Sequence, residues 1–367
     1  MKFNPELEAI ETYEGGKPIE LVVREYGISP KEVIKLASNE NPLGTSPSVA
    51  EAIRENADRA HLYPDDSMQN LKEALCDHFD IGKENLIIGA GSDQVIEFAI
   101  RAKANTKTKL LTAGITFAMY EIYARQIGAE VVKTPSPTHN LDQFREAYRA
   151  DPSIGIIFLC LPNNPLGESL PTSEVYSFIE EVDSDTLVVV DGAYQEYAKA
   201  KDPAYAIDPA DLIATFPNVL YLGTFSKAYA LGGMRVGYGI GSEEIIRALY
   251  KLRPPFNVTT LSLAAAEAAI KDREFVQKSV ELNFEQMERY YDFAQKHKID
   301  FIESYTNFIT FILPENKRAK DIAQMLLKKG IIIRDLTGYG LNGLRITVGT
   351  PEQNGRFLSV FEKVLKA

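Results

Sequence analysis

From Ser46 onward the chain alternates short, mostly apolar runs with longer stretches whose apolar residues recur at helical spacing. The runs at 86–88, 109–111, 130–133, 154–160, 187–190 and 219–222 predict strands, most of them covered on both faces. Helices are predicted between them, over 48–59, 67–79, 94–104, 118–126, 141–148 and 172–181. This alternation implies a three-layer α/β/α large domain around a mostly parallel sheet, in which ligands bind beyond the carboxyl ends of the strands. After Gly241 the rhythm slackens. Helices are expected over 243–251, 261–274, 275–298, 319–329 and 352–366, with strands at 307–312, 331–333 and 343–348. Arg253-Pro254-Pro255 is a hard break. The expected division is an arm over 1–45 that belongs partly to a small domain, a large ligand-binding domain over 46–254, and a smaller α/β domain over 255–367.

Composition narrows the class. A chain of 367 residues suggests roughly two domains. A net charge of -11 argues against nucleic acid or an anionic membrane as partner. No apolar run approaches the ~20 residues of a membrane span. The opening MKFNPELEAIE lacks the apolar stretch of a secretory signal. Cys76 and Cys160 read as buried thiols. A cytoplasmic location is therefore expected. His61, His78, His139 and His297 show no metal-ligand spacing, so no metal site is expected.

Candidate chemistry gathers where strands end. Lys227 follows the run 219–222 and sits among Thr224, Ser226 and Arg235. A lysine just past a buried strand can be desolvated, which frees its amine to attack carbonyls. The hydroxyls and the guanidinium are donor types that hold a phosphate, and a lysine beside a phosphate cradle is what pyridoxal phosphate requires. A solvated lysine in a Gly-rich loop fits the same residues. Gly89-Ala90-Gly91-Ser92-Asp93 lies between a strand and a helix, where free N–H groups meet an anion or Ser92 simply caps the helix. A dinucleotide fingerprint fails, because Gln94 stands where it needs glycine, and no G-x-S-x-G elbow is present. Asn164 follows another strand and could donate to a phenolate oxygen, as could Tyr194. Asp191 ends four aliphatic residues, where its carboxylate needs a partner such as a protonated pyridine nitrogen. Phe117 could stack on a flat ring, and Arg334 and Arg345 could each grip a carboxylate or phosphate.

Eight motifs in one order carry a resemblance: SNENPLG (38–44), YPDDS (63–67), GAGSDQ (89–94), FLCLPNNPLG (158–167), VVVDGAY (188–194), TFSKAYALGGMRVGYGI (224–240), TNF (306–308) and RITVGT (345–350). The chain resembles the fold-type I pyridoxal-phosphate aminotransferases, and within them the histidinol-phosphate branch. The resemblance implies that Lys227 holds the cofactor covalently and moves the substrate proton. It implies Asp191 on the ring nitrogen, Asn164 and Tyr194 on the ring hydroxyl, and Phe117 stacked on the ring, where the family usually has Tyr. Ser92, Asp93, Thr224, Ser226 and Arg235 would cradle the phosphate. Tyr63 would reach it from the other subunit of a homodimer. Tyr13, Asn39, Arg334 and Arg345 would line the substrate. The implied reaction is transamination between L-histidinol phosphate and 2-oxoglutarate, giving imidazole acetol phosphate and glutamate, in histidine synthesis. An aromatic amino-acid aminotransferase or a phospho-amino-acid decarboxylase of the same fold would share the cofactor half of the site. A non-catalytic binding protein would be expected to have lost Lys227 or Asp191. Two departures stand out: Gly192 replaces the family's usual Glu, and Leu166 its usual Thr.

Overall fold

The computed structural model describes residues 1–10 and 19–366. Its strands run in chain order as β1 (Ile34–Lys35), β2 (Leu86–Gly89), β3 (Lys109–Thr112), β4 (Val131–Lys133), β5 (Ile154–Cys160), β6 (Leu187–Asp191), β7 (Val219–Thr224), β8 (Gly237–Gly241), β9 (Asp300–Ile302), β10 (Phe308–Ile312), β11 (Ile331–Ile332), β12 (Arg334–Asp335) and β13 (Gly343–Thr347). Seven form one sheet in the order β2-β8-β7-β6-β5-β3-β4. All run parallel except β8, which is antiparallel to both β2 and β7.

The unbroken apolar runs follow from burial of both faces. Ile156, Phe158 and Val189 enter one core, with Leu110 and Leu220. Their chain neighbours Ile157, Leu159, Val188 and Val190 enter the other, with Leu111. Each such side chain contributes about 1.5–3 kcal/mol on burial. The helices over Ser92–Lys103 and Met119–Gln126 supply Val95, Ile96, Tyr120 and Ala124 to the first core. The helix Thr260–Lys271 lies past the Pro254-Pro255 break, yet its Ala265, Ala266, Ala269 and Ile270 join the second core beside Val49, Leu71 and Leu75.

A second sheet, β12-β13-β10-β9, is antiparallel throughout. Its core holds Phe311, Leu344 and Ile346 against Tyr290, Phe357 and Phe361 from the helices Arg273–His297 and Pro351–Lys366. β1 pairs in parallel with β11, which ties the early chain to this part of the molecule.

Some elements differ from expectation. The long helix begins at Arg273, because the Asp272 side chain accepts the Phe275 N–H and caps it there. The short helices Ile19–Tyr26, Gln195–Lys201 and Pro209–Thr215 were not anticipated, and each is too brief for periodicity to show. The arm opens with a 3-10 turn at Pro5–Ala9.

Candidate active site

The strand register sets the site. Cys160, Asp191 and Leu222 are register partners across β5, β6 and β7, so the carboxyl ends of these strands share one rim. The segments that follow them carry Asn164, the Asp191 carboxylate, Ser226 and Lys227. β8 runs the other way, so its beginning lies on this rim, with Gly237 between Gly89 and Thr224. Arg235, two residues earlier, therefore joins the same edge as Gly91-Ser92-Asp93.

The anion-holding groups meet there. Ser92 and Asp93 open the helix Ser92–Lys103, behind Gly91 at φ 81. A Cβ at Gly91 would lie 2.7 Å from Arg235 Nη2, and one at Gly237 would lie 2.0 Å from the Ser92 nitrogen. Only glycine lets guanidinium, helix start and β8 approach this closely. Arg235 Nη1 donates to Ser226 Oγ at 3.3 Å, and Thr224 Oγ1 donates to the same oxygen at 3.0 Å. Helix N–H groups, the Ser226 hydroxyl and a guanidinium thus converge, with the Thr224 proton directed to Ser226 Oγ, and this is the donor set of a phosphate site. Asp93 turns inward, where its Oδ2 accepts from Tyr123 at 2.8 Å and Oδ1 is buried without a partner. Burial raises its pKa, against the lowering by that hydroxyl.

Lys227 is partly open to the cleft, but its amine lies deep, 5.7 Å from the centre of the Tyr194 ring and 3.4 Å from the Ser38 carbonyl oxygen. Burial, then the positive charges of Arg345 and Arg235, push its pKa down to about 8. Asp191 is 3% exposed. Its Oδ2 accepts from Tyr120 at 2.6 Å and its Oδ1 from the Ala193 N–H at 3.1 Å. Burial raises its pKa while those two bonds oppose the rise. An acid held this way favours a cationic partner.

The small sheet closes the cleft. Arg334 and Arg345 are register partners across β12 and β13, and Thr310 is the partner of Arg345 on β10. Paired residues share a sheet face. Thr310 Oγ1 reaches the Pro165 carbonyl at 2.7 Å, so this face looks onto the 162–167 loop. Arg345 Nη1 donates to Asn164 Oδ1, and Nη2 donates to the Ala37 carbonyl at 2.7 Å. Engaging the amide oxygen turns the Asn164 NH2 away from Arg345, free to donate. Asn39, left-handed at φ 55 and 1% exposed, donates to the Tyr194 hydroxyl at 2.8 Å and accepts from Thr347 at 3.0 Å. Phe117 packs edge-on to Tyr120 at 5.6 Å. Tyr63 lies at the surface, 82% exposed, stacked on Phe256 at 4.8 Å. Tyr13 lies outside the described residues. Among the described residues no cluster of His, Cys, Asp and Glu could hold a metal, and no helix is long and apolar enough to cross a membrane.

Reading the chain for chemistry missed Tyr120 and Thr347. Tyr120 follows Phe117 by three residues and looked like core, and Thr347 gained meaning only through its contact with Asn39. Both departures have structural sense. A Cβ at Gly192 would lie 2.5 Å from the Tyr221 hydroxyl, so that tyrosine fills the space a side chain at 192 would need. Leu166 is fully buried, where a threonine hydroxyl would need a partner.

The family model described as aminotransferase class I and II matches residues 31–361. A histidinol-phosphate aminotransferase of Sulfurimonas denitrificans is 57% identical over 365 residues, covering 100% of both chains. One of Campylobacter jejuni is 58% identical over 367 residues, again covering 100% of both. The crystal structure of histidinol-phosphate aminotransferase from Sinorhizobium meliloti in complex with pyridoxal-5'-phosphate superposes with a TM-score of 0.90 at 25% identity, covering 100% of this chain and 98% of that one. A deep amine, a buried acid and an anion cradle on one rim, within a chain alike from end to end, place this protein in the class I and II aminotransferase family, among the histidinol-phosphate aminotransferases.

Proposed function

We propose that the chain transfers an amino group between L-histidinol phosphate and 2-oxoglutarate, as a pyridoxal-phosphate enzyme of histidine synthesis. The observation that carries this reading is the pairing, on one rim, of a lysine amine that is easily neutral with a buried carboxylate. The cofactor fits the residues present, because the contact between Gly91 and Arg235 leaves an anion cradle that a side chain at 91 would fill. When bound, pyridoxal phosphate supplies an electron sink for the charge left at the substrate's Cα.

The protein's residues do the rest. Ser92, Asp93, Thr224, Ser226 and Arg235 hold the phosphate, the first two through backbone N–H groups. Asp191 holds the ring nitrogen's proton. Asn164 and Tyr194 direct donors at the ring hydroxyl, and Phe117 covers the ring face. Neutral Lys227 Nζ would hold the cofactor through its aldehyde carbon and, once free, would take the proton from the substrate's Cα. Arg334 and Arg345 offer the substrate's anionic group two guanidinium forks, with Asn39 and Tyr13 beside them. The large domain over 46–254 would hold the cofactor, joined in packing by the helix Thr260–Lys271. The small domain over 255–367, with the arm, would hold the substrate. Exposed Tyr63, with Leu62 and Phe256 beside it, supports a homodimer in which Tyr63 serves the other subunit's phosphate. The acidic net charge and free buried thiols support a cytoplasmic enzyme.

A substrate panel on the loaded enzyme tests the reading. Histidinol phosphate should show a kcat/KM far above that of phenylalanine, and an equal or lower value would overturn the choice of substrate. Lys227→Ala should abolish turnover with every amino donor.

A further inference from the structure

We infer that Tyr120 is a positioning residue for Asp191: its hydroxyl keeps the Asp191 carboxylate ionised and aimed, so that the proton stays on the cofactor's ring nitrogen. The inference rests on the functional reading above.

The geometry is specific. Tyr120 opens the helix Met119–Gln126 and is 0% exposed. Its hydroxyl donates to Asp191 Oδ2 at 2.6 Å, a short bond to a charged acceptor. Its ring is clamped: Phe158 stacks on it at 4.3 Å and 24°, and Phe117 meets its edge at 5.6 Å and 83°. Phe158 stands two residues before Cys160, the register partner of Asp191, so strand packing fixes where the hydroxyl points. The single hydroxyl proton goes to Asp191, because burial keeps Tyr120 protonated throughout the working range.

The consequence is electronic. Asp191 accepts from two donors, Tyr120 and the Ala193 N–H. Each stabilises the carboxylate over the neutral acid. Without the Tyr120 bond the acid becomes more basic and competes for the proton it shares with the ring nitrogen. A ring that loses its proton is a poorer electron sink, whereas substrate binding is untouched. Tyr120 also braces Phe117, so one side chain sets both the acid at the ring's edge and the aromatic assigned to its face.

The test uses holoenzyme loaded with cofactor labelled with nitrogen-15 in the ring. Tyr120→Phe keeps both aromatic contacts and removes only the oxygen. The expected result is a fall in kcat of about 10- to 100-fold, the scale of a hydrogen bond to a charged group, with KM changed little. The ring-nitrogen resonance should move toward the unprotonated position. Phe158→Leu loosens the clamp but keeps the hydroxyl, and should lower thermal stability while moving that resonance much less than Tyr120→Phe does. An unshifted resonance and unchanged kcat in Tyr120→Phe would overturn the inference. So would an equal shift in Phe158→Leu, since packing would then be the cause. Failure of wild type to bind pyridoxal phosphate or transaminate would instead remove the functional reading itself.

Discussion

The depressed pKa of Lys227 can be titrated directly in the cofactor-free protein. An ordinary lysine amine titrates at 10.5, and here the value is about 8. Near pH 7 the neutral fraction is therefore about one in ten, against roughly one in 3,000 for an ordinary amine, an advantage of roughly 300-fold. Only the neutral amine attacks an aldehyde. Stopped-flow mixing of apoprotein with excess pyridoxal phosphate, followed by visible absorbance, should give a capture rate that rises with pH, with its midpoint at about 8 and a plateau about one unit higher. A rate still climbing near pH 10 would refute the desolvation argument. Arg345→Gln removes the larger of the two neighbouring charges and should move the midpoint upward, well short of 10.5, because burial is the leading cause. The sign for stability follows from the same shift. Between about 8 and 10.5 the unfolded chain carries a proton on this amine that the folded chain lacks. The apoprotein should therefore gain stability from this group as pH rises through that window.

Other outcomes are expected. Gly192→Glu should cost about 1–3 kcal/mol in urea unfolding by overpacking against Tyr221, and Gly192→Glu combined with Tyr221→Leu should recover most of it. Mixed refolding of Tyr63→Phe with Lys227→Ala should restore about a quarter of wild-type activity, since half the dimers would be hybrids with one intact site; no restoration would mean that Tyr63 does not act across subunits. Arg253 donates to both oxygens of Asp66 at 2.9 and 2.8 Å and holds its pKa at about 2, below the usual 3.8. That contribution is present above about pH 4 and lost as pH falls through 2, so the melting temperature of Arg253→Gln should lie below wild type at neutral pH and converge with it in acid.

The apolar runs foretold the large sheet because burial on both faces leaves them no polar positions to confuse the pattern. β5 falls at 154–160, the very span the pattern marked. The reversed direction of β8 was not legible. Its run, like its neighbours', is apolar and says nothing of orientation, yet that reversal is what brings Arg235 to the rim. β12 was missed because two charged-edge residues, Arg334 and Asp335, carry no period, although its pairing is what sets Arg334 opposite Arg345. Lys227, Asp191 and Ser92 stood out by their places at strand ends. Tyr120 did not, because a tyrosine at core spacing announces its packing and conceals its hydroxyl. The contact of Asn39 with Tyr194 spans 155 positions and could come only from the fold.

Asn39 also constrains how this enzyme can be redesigned. Its backbone N–H and amide oxygen are held by Thr347, its carbonyl by Asn307, and its NH2 by Tyr194. A left-handed backbone leaves few residue types at ease there. Aspartate would keep the turn and lose the donor, and glycine would keep the turn and lose every side-chain bond. The position thus works as a rivet through two plates. On the reading proposed above, substrate scope would be better altered at Arg334, on the open edge of the small sheet, where a new side chain leaves the rivet in place.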